Sequence, residues 1–221
     1  MNEPDSASRQ FLEVLRTDSE SWSGLSFAPA EDDDTWDANA QRRAAVLAAI
    51  LYDPRAVDRA LLKYLLRQDI RVAEEFWGVS GGLRLGMFLL AEHRCVDDAW
   101  LQWSAKIANF DTEMGLDLWA VLAGGAVAVR SMVEASDHPE RDELLERLAE
   151  EPYADAMDED VERWLLQQRT RSQMDEAIWN SAMIQKPSTP ATGKRVPPAP
   201  MRTSDRHPHR AQRGHTRMRN R

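Results

Sequence analysis

Asp53-Pro54-Arg55-Ala56-Val57-Asp58-Arg59-Ala60-Leu61-Leu62-Lys63-Tyr64-Leu65-Leu66-Arg67-Gln68-Asp69-Ile70-Arg71-Val72-Ala73-Glu74-Glu75-Phe76-Trp77 carries apolar residues at helical intervals. Val57, Leu61, Leu62, Leu65 and Leu66 fall on one face, and Ile70, Ala73, Phe76 and Trp77 continue it. Asp53-Pro54 reads as the end of one helix and the start of the next, with Asp as cap and Pro at the first helical position. Upstream, Asp37 is a suitable N-cap for a helix whose apolar positions are Ala44, Val46, Leu47, Ile50 and Leu51. Downstream, Gly78, Gly81 and Gly82 punctuate the chain before Leu83, Leu85, Met87, Phe88, Leu89 and Leu90. That segment is apolar almost all round, as in a central, buried helix.

The same pattern continues. Val96, Ala99, Trp100, Trp103 and Ile107 form a stripe. A helix capped by Asp111 or Thr112 follows, with Leu116, Leu118, Trp119, Val121 and Leu122 inside, and Gly124-Gly125 breaks it before Val127 to Val133. Asp137-His138-Pro139-Glu140 reads as a capping box ahead of Leu144, Leu145 and Leu148. A last helix runs from about Asp158 through Val161, Trp164 and Leu165 to Trp179. No run alternates apolar and polar with β-branched enrichment, so no sheet is expected. The predicted fold is all-α: an irregular array or bundle of antiparallel helix pairs, of which a HEAT-like solenoid is one form. The eight Trp residues are expected at helix interfaces.

Charge divides the 221 residues. Residues 186–221 hold ten basic residues, six of the eleven prolines and one acid, Asp205; their net charge is +9, which leaves −18 on residues 1–185. With Val196, Met201 and Met218 as its only larger aliphatic side chains, the 186–221 segment cannot bury enough apolar surface to offset ordering entropy and is expected to be a disordered tail. Residues 1–37 are expected to form a short amphipathic helix at Ser8–Arg16, then an irregular stretch with the acidic run Glu31-Asp32-Asp33-Asp34; residues 38–185 form the helical domain. The longest uncharged stretch, Leu118 to Val129, is too short for a bilayer span of about 20 residues. The polar, acidic start is unlike a secretory signal, and a single Cys excludes a disulfide framework; a cytoplasmic protein is expected.

Chemistry-bearing residues concentrate around one helix–helix turn: Trp103, Lys106, Asn109, Asp111, Thr112 and Asp117. Asn109 suits the left-handed position that ends a helix, Asp111 a cap, and Lys106 a last turn where the dipole favours a cation. The functional reading is a polar recognition patch. Trp103-Ser104-Ala105-Lys106-Ile107-Ala108-Asn109-Phe110-Asp111-Thr112, with the helices around it at about residues 50–125, resembles an uncharacterised bacterial all-helical (HEAT-like) family with a Trp-x-x-Lys-x-Ala-Asn-Phe-Asp-Thr segment. The resemblance implies the fold and brings no activity.

Other motifs carry less. His93, Cys95, Asp97 and Asp98 lack the convergent spacing of zinc ligands. The Gly78–Gly86 stretch lacks the Gly-Lys-Ser/Thr ending of a phosphate loop. No zincin helix, nucleophile elbow or Cys with a paired base occurs, so no enzyme, cofactor or metal is expected. The tail offers phosphate-neutralising cations and no aromatic stacking platform, so it implies at most weak non-specific nucleic-acid contact. The reading that follows is a non-enzymatic protein-interaction or scaffold protein whose acidic helical surface binds a basic partner. The alternative is an immunity- or antitoxin-type inhibitor of a toxin encoded nearby, for which charge complementarity would speed association.

Overall fold

A computed structural model describes residues 6–30 and 33–184, with side chains at 7–29 and 37–174. The expected basic tail lies outside the described residues. The elements are α1 (Ser6–Thr17), a 3-10 helix (Ser19–Leu25), β1 (Pro29–Ala30), β2 (Asp33–Asp37), α2 (Ala40–Tyr52), α3 (Asp58–Glu75) and α4 (Gly81–Ala91). There follow a 3-10 helix (Val96–Asp98), α5 (Ala99–Lys106), α6 (Phe110–Gly115), a 3-10 helix (Leu118–Gly124), α7 (Ala126–Glu134), α8 (Arg141–Leu148) and α9 (Asp158–Ile184). The fold is all-α apart from the β1–β2 ribbon.

α4 is the central helix. Leu83, Met87, Phe88, Leu89 and Leu90 are all buried, and α4 packs on α2, α3, α5, α9 and the 3-10 helix Leu118–Gly124. That is a bundle arrangement; a solenoid repeat touches only the repeats beside it. Leu12 and Leu15 of α1 and Leu25 enter the same core, so the N-terminal segment shares it.

Several expected boundaries move, each for a visible reason. Asp37 ends β2 and does not cap α2; Asn39 occupies that cap position without a side-chain bond. The Asp37 carboxylate instead accepts from Ala28 N and Asn39 N and pairs with Arg43. Arg43, fully buried, also pairs with Asp69 of α3 at 2.7 Å. This network anchors the ribbon that the sequence pattern did not predict. Burial pushes the Asp69 carboxyl up, against the pull of Arg43. Asp53-Pro54 ends α2, yet α3 begins only at Asp58, whose carboxylate accepts from Arg55 N at 2.8 Å and orders the corner. Val57 is therefore exposed and not part of the apolar stripe. Asp137–Glu140 forms no capping box: Glu140 holds the cap position without a side-chain bond, and its own N–H donates to His138 Nδ1 at 3.2 Å. The stretch expected as one helix through Leu122 is split into α6 and a 3-10 helix, because Leu116 turns to extended backbone. Among the described residues, no helix is long and apolar enough to cross a membrane.

Candidate functional site

The turn between α5 and α6 is built inward from its polar residues. Asn109 is the N-cap of α6, in extended backbone and not at a left-handed helix end; its Oδ1 accepts from Thr112 N at 2.8 Å. Thr112 Oγ1 accepts from Asn109 N at 2.9 Å, which completes a capping box and displaces Asp111 from the expected capping role. The Asn109 Nδ2 reaches across to α3: it donates to Ala73 O at 2.7 Å and lies 3.4 Å from both Phe76 O and Gly78 O. Ala73 O is one of the carbonyls left without an intrahelical partner at the end of α3, which a side-chain amide satisfies. Asn109 thus joins the start of α6 to the end of α3.

The remaining members of the sequence-derived set divide. Trp103 is 1% exposed, and its indole N–H has no partner among the described residues. Lys106, half-buried in the last turn of α5, donates through Nζ to the Glu113 carbonyl. Burial lowers the Lys106 pKa, and Glu113 opposes that shift. Asp117 accepts from Trp164 Nε1 at 3.1 Å and ties α9 to the 3-10 helix Leu118–Gly124. Asp111 is half-exposed. Lys106, Asn109 and Asp111 line neither the groove beside α3 nor the one at residues 136–142. Trp100 stacks on His138 with ring centroids 3.9 Å apart, so its partner is internal. Asp98 is taken by Arg59 and Lys63, and among the described residues no group of three His, Cys, Asp or Glu is placed to hold a metal.

What this scaffold presents outward is apolar. Phe110 is 64% exposed and Met114, one turn along α6, is 72% exposed. Trp77 is 84% exposed and stands in the chain between Phe76 and Gly78, whose carbonyls each lie 3.4 Å from Asn109 Nδ2. It does not continue the core stripe, because α3 ends at Glu75 and Phe76 turns to extended backbone. The turn follows α6 along its length: a Cβ at Gly115 would lie 3.1 Å from Val79 Cγ2. Trp77, Phe110 and Met114 therefore stand on adjacent backbone, beside the exposed carboxylates Glu74 and Glu75 and the half-exposed Asp111. Glu113 pairs with Arg147 of α8, and Arg84 donates to Gly115 O, so the base of the patch is cross-linked on a second side. Sequence reasoning missed these three residues. Phe110 and Met114 carried a signal, since they are large apolar residues four apart on a six-residue helix whose other positions are polar or Gly.

The chain matches no family model, no curated protein and no solved structure.

Proposed function

We propose that the protein is a non-enzymatic interaction or scaffold protein that docks a basic protein partner on the Trp77–Phe110–Met114 patch and its carboxylate rim. The observation that carries this reading is the exposure of one Trp, one Phe and one Met on adjacent, internally braced backbone. Large exposed apolar groups cost solubility, and aromatic anchors dominate the energetics of protein interfaces. Glu74, Glu75 and Asp111 border the patch, and the charge of −18 over residues 1–185 favours encounter with a cationic surface. The polar residues read from the sequence serve this patch as its frame: Asn109 and Thr112 position it, and Lys106 fixes the α6 backbone through Glu113 O.

The test is affinity purification from the native host with three forms: the parent chain, a Trp77→Ser/Phe110→Ser/Met114→Ser variant, and a chain lacking residues 186–221. A partner enriched by the parent and by the shortened chain, and lost with the triple variant, supports the reading. Equal recovery with the triple variant, or no enriched protein in any form, defeats it.

A further inference from the structure

A second surface has the opposite sign. Arg59, Lys63, Arg67 and Arg71 follow one another at four-residue intervals along α3, about 6 Å apart and spanning about 18 Å of helix. Arg59, Lys63 and Arg67 line an open groove of about 610 Å³, with Trp22, Val57 and Ala60 as its apolar part. Trp22 is held in place there. Its Nε1 donates to Leu15 O at 2.7 Å, and its ring packs 5.4 Å from that of Tyr64. Val57 is 63% exposed. Arg71 extends the ridge past the groove and lies 5.3 Å from the centre of the Phe27 ring.

The ridge already displays the chemistry it would use on a ligand. Arg59 grips the buried Asp98 with Nε and Nη2, each 2.8 Å from a carboxylate oxygen, and Lys63 Nζ lies 3.2 Å from the same group. One carboxylate thus serves two cations. Arg67 and Arg71 pair with no carboxylate among the described residues, so positive charge is left over along the ridge. Both are exposed.

We propose that this groove binds a short, extended acidic peptide segment of a partner protein, with carboxylates alternating with apolar side chains. The spacing favours it: same-side residues of an extended chain repeat at about 6.6 Å, close to the ridge step of about 6 Å. Guanidinium forks match carboxylates in geometry as well as charge. The intervening side chains point the other way along an extended chain, where Trp22, on a different element from the ridge, offers apolar contact. A long polyanion such as a nucleic acid fits less well, because carboxylates close both ends of the ridge. Glu13 and Asp53 surround Arg55 at one end, and Glu74 and Glu75 are exposed at the other.

The experiment measures fluorescence anisotropy of a labelled Glu-Leu-Glu-Leu-Glu-Leu-Glu peptide with the full chain. Arg67→Glu/Arg71→Glu is expected to weaken binding at least about tenfold, and the milder Arg67→Gln/Arg71→Gln at least about threefold. Reversing tail charges with Arg217→Glu/Arg219→Glu is expected to change it less than about twofold. Replacing Leu by Gly in the peptide is expected to weaken it further through loss of apolar contact. The proposal is overturned if both ridge variants bind the peptide as tightly as the parent, or if the tail variant accounts for the loss. It is also overturned if a single-stranded oligonucleotide of equal charge binds more tightly than the peptide and depends on Arg67 and Arg71.

Discussion

Arg16 of α1 grips Asp58 at the start of α3 with two parallel bonds, Nε to Oδ1 at 2.7 Å and Nη2 to Oδ2 at 2.9 Å. The two side chains are 3% and 0% exposed. The other guanidinium hydrogens go to Glu13, Asp53 Oδ2 and the Asp53 carbonyl, so one residue ties α1 to the whole α2–α3 corner. These bonds hold the guanidinium above its ordinary pKa, with Asp58 the largest cause. Arg16→Ala would strand the Asp58 carboxylate in the interior. The expected loss is about 3–5 kcal/mol in urea unfolding. Arg16→Lys is expected to recover only part of it, because an ammonium cannot form the fork. A loss below about 1 kcal/mol for Arg16→Ala would contradict the role given to this pair.

Asn109 has two separable tasks, accepting as a cap and donating across to α3. Asn109→Ala is expected to cost about 2 kcal/mol. Asp is ordinarily as good a cap as Asn, but here its carboxylate would face the Ala73, Phe76 and Gly78 carbonyls. Asn109→Asp is therefore expected to be destabilising as well. Amide exchange at residues 76–80 should rise in both variants; unchanged stability in Asn109→Asp would refute the bridging task.

At Gly124 the backbone runs directly against that of Val96. A Cβ there would lie 2.6 Å from both N and Cα of Val96. Backbone cannot yield as a side-chain tip can. Gly124→Ala is expected to cost about 3 kcal/mol or more, read as a lowered thermal midpoint. A midpoint within about 2 °C of the parent would show that the two segments separate easily.

Burial, the largest influence, holds the His93 imidazole below its ordinary pKa of 6.5, against the smaller upward pull of Asp58 and Asp98. The unfolded chain thus takes up a proton that the folded chain refuses. The stability linked to this group is whole above pH 6.5 and declines as the pH falls below it. The carboxylates held low by arginine partners, such as Asp53, lose their contribution only at lower pH, below the ordinary carboxyl value of 3.8. Thermal melts between about pH 6.5 and 5 should therefore show a fall that His93→Gln flattens. An equal fall in the variant would assign it elsewhere.

The helices were legible because their apolar residues recur at the interval a buried face requires, most clearly along Leu61 to Ile70 and Leu83 to Leu90. Their ends were less so, because tertiary partners claimed the capping groups. Asp37 answers to Arg43, and Asp58 to Arg16. Spacing carried the α3 stripe on to Trp77, but it holds no information on where the backbone leaves the helix. The ribbon was invisible because Asp37 at its end is held by Arg43, a cation buried from another element. At the turn between α5 and α6 the capping roles were misassigned: Asn109 and Thr112 make the cap that was expected of Asp111. Asn109 and Thr112 look like surface groups in one dimension, yet Thr112 is buried and the Asn109 amide is spent on the end of α3. The basic ridge of α3 escaped notice because a total of −9 averages it away.

The clamp of Asn109 on the Ala73–Gly78 carbonyls has a kinetic corollary. The two backbone segments bearing Trp77 and Phe110 are fastened together before anything arrives. A molecule settling there would lose its own freedom without waiting for the receiving surface to assemble. Association would then be governed by orientation upon collision, at about 10⁵–10⁷ M⁻¹s⁻¹, and discrimination between molecules would rest on how long each one stays.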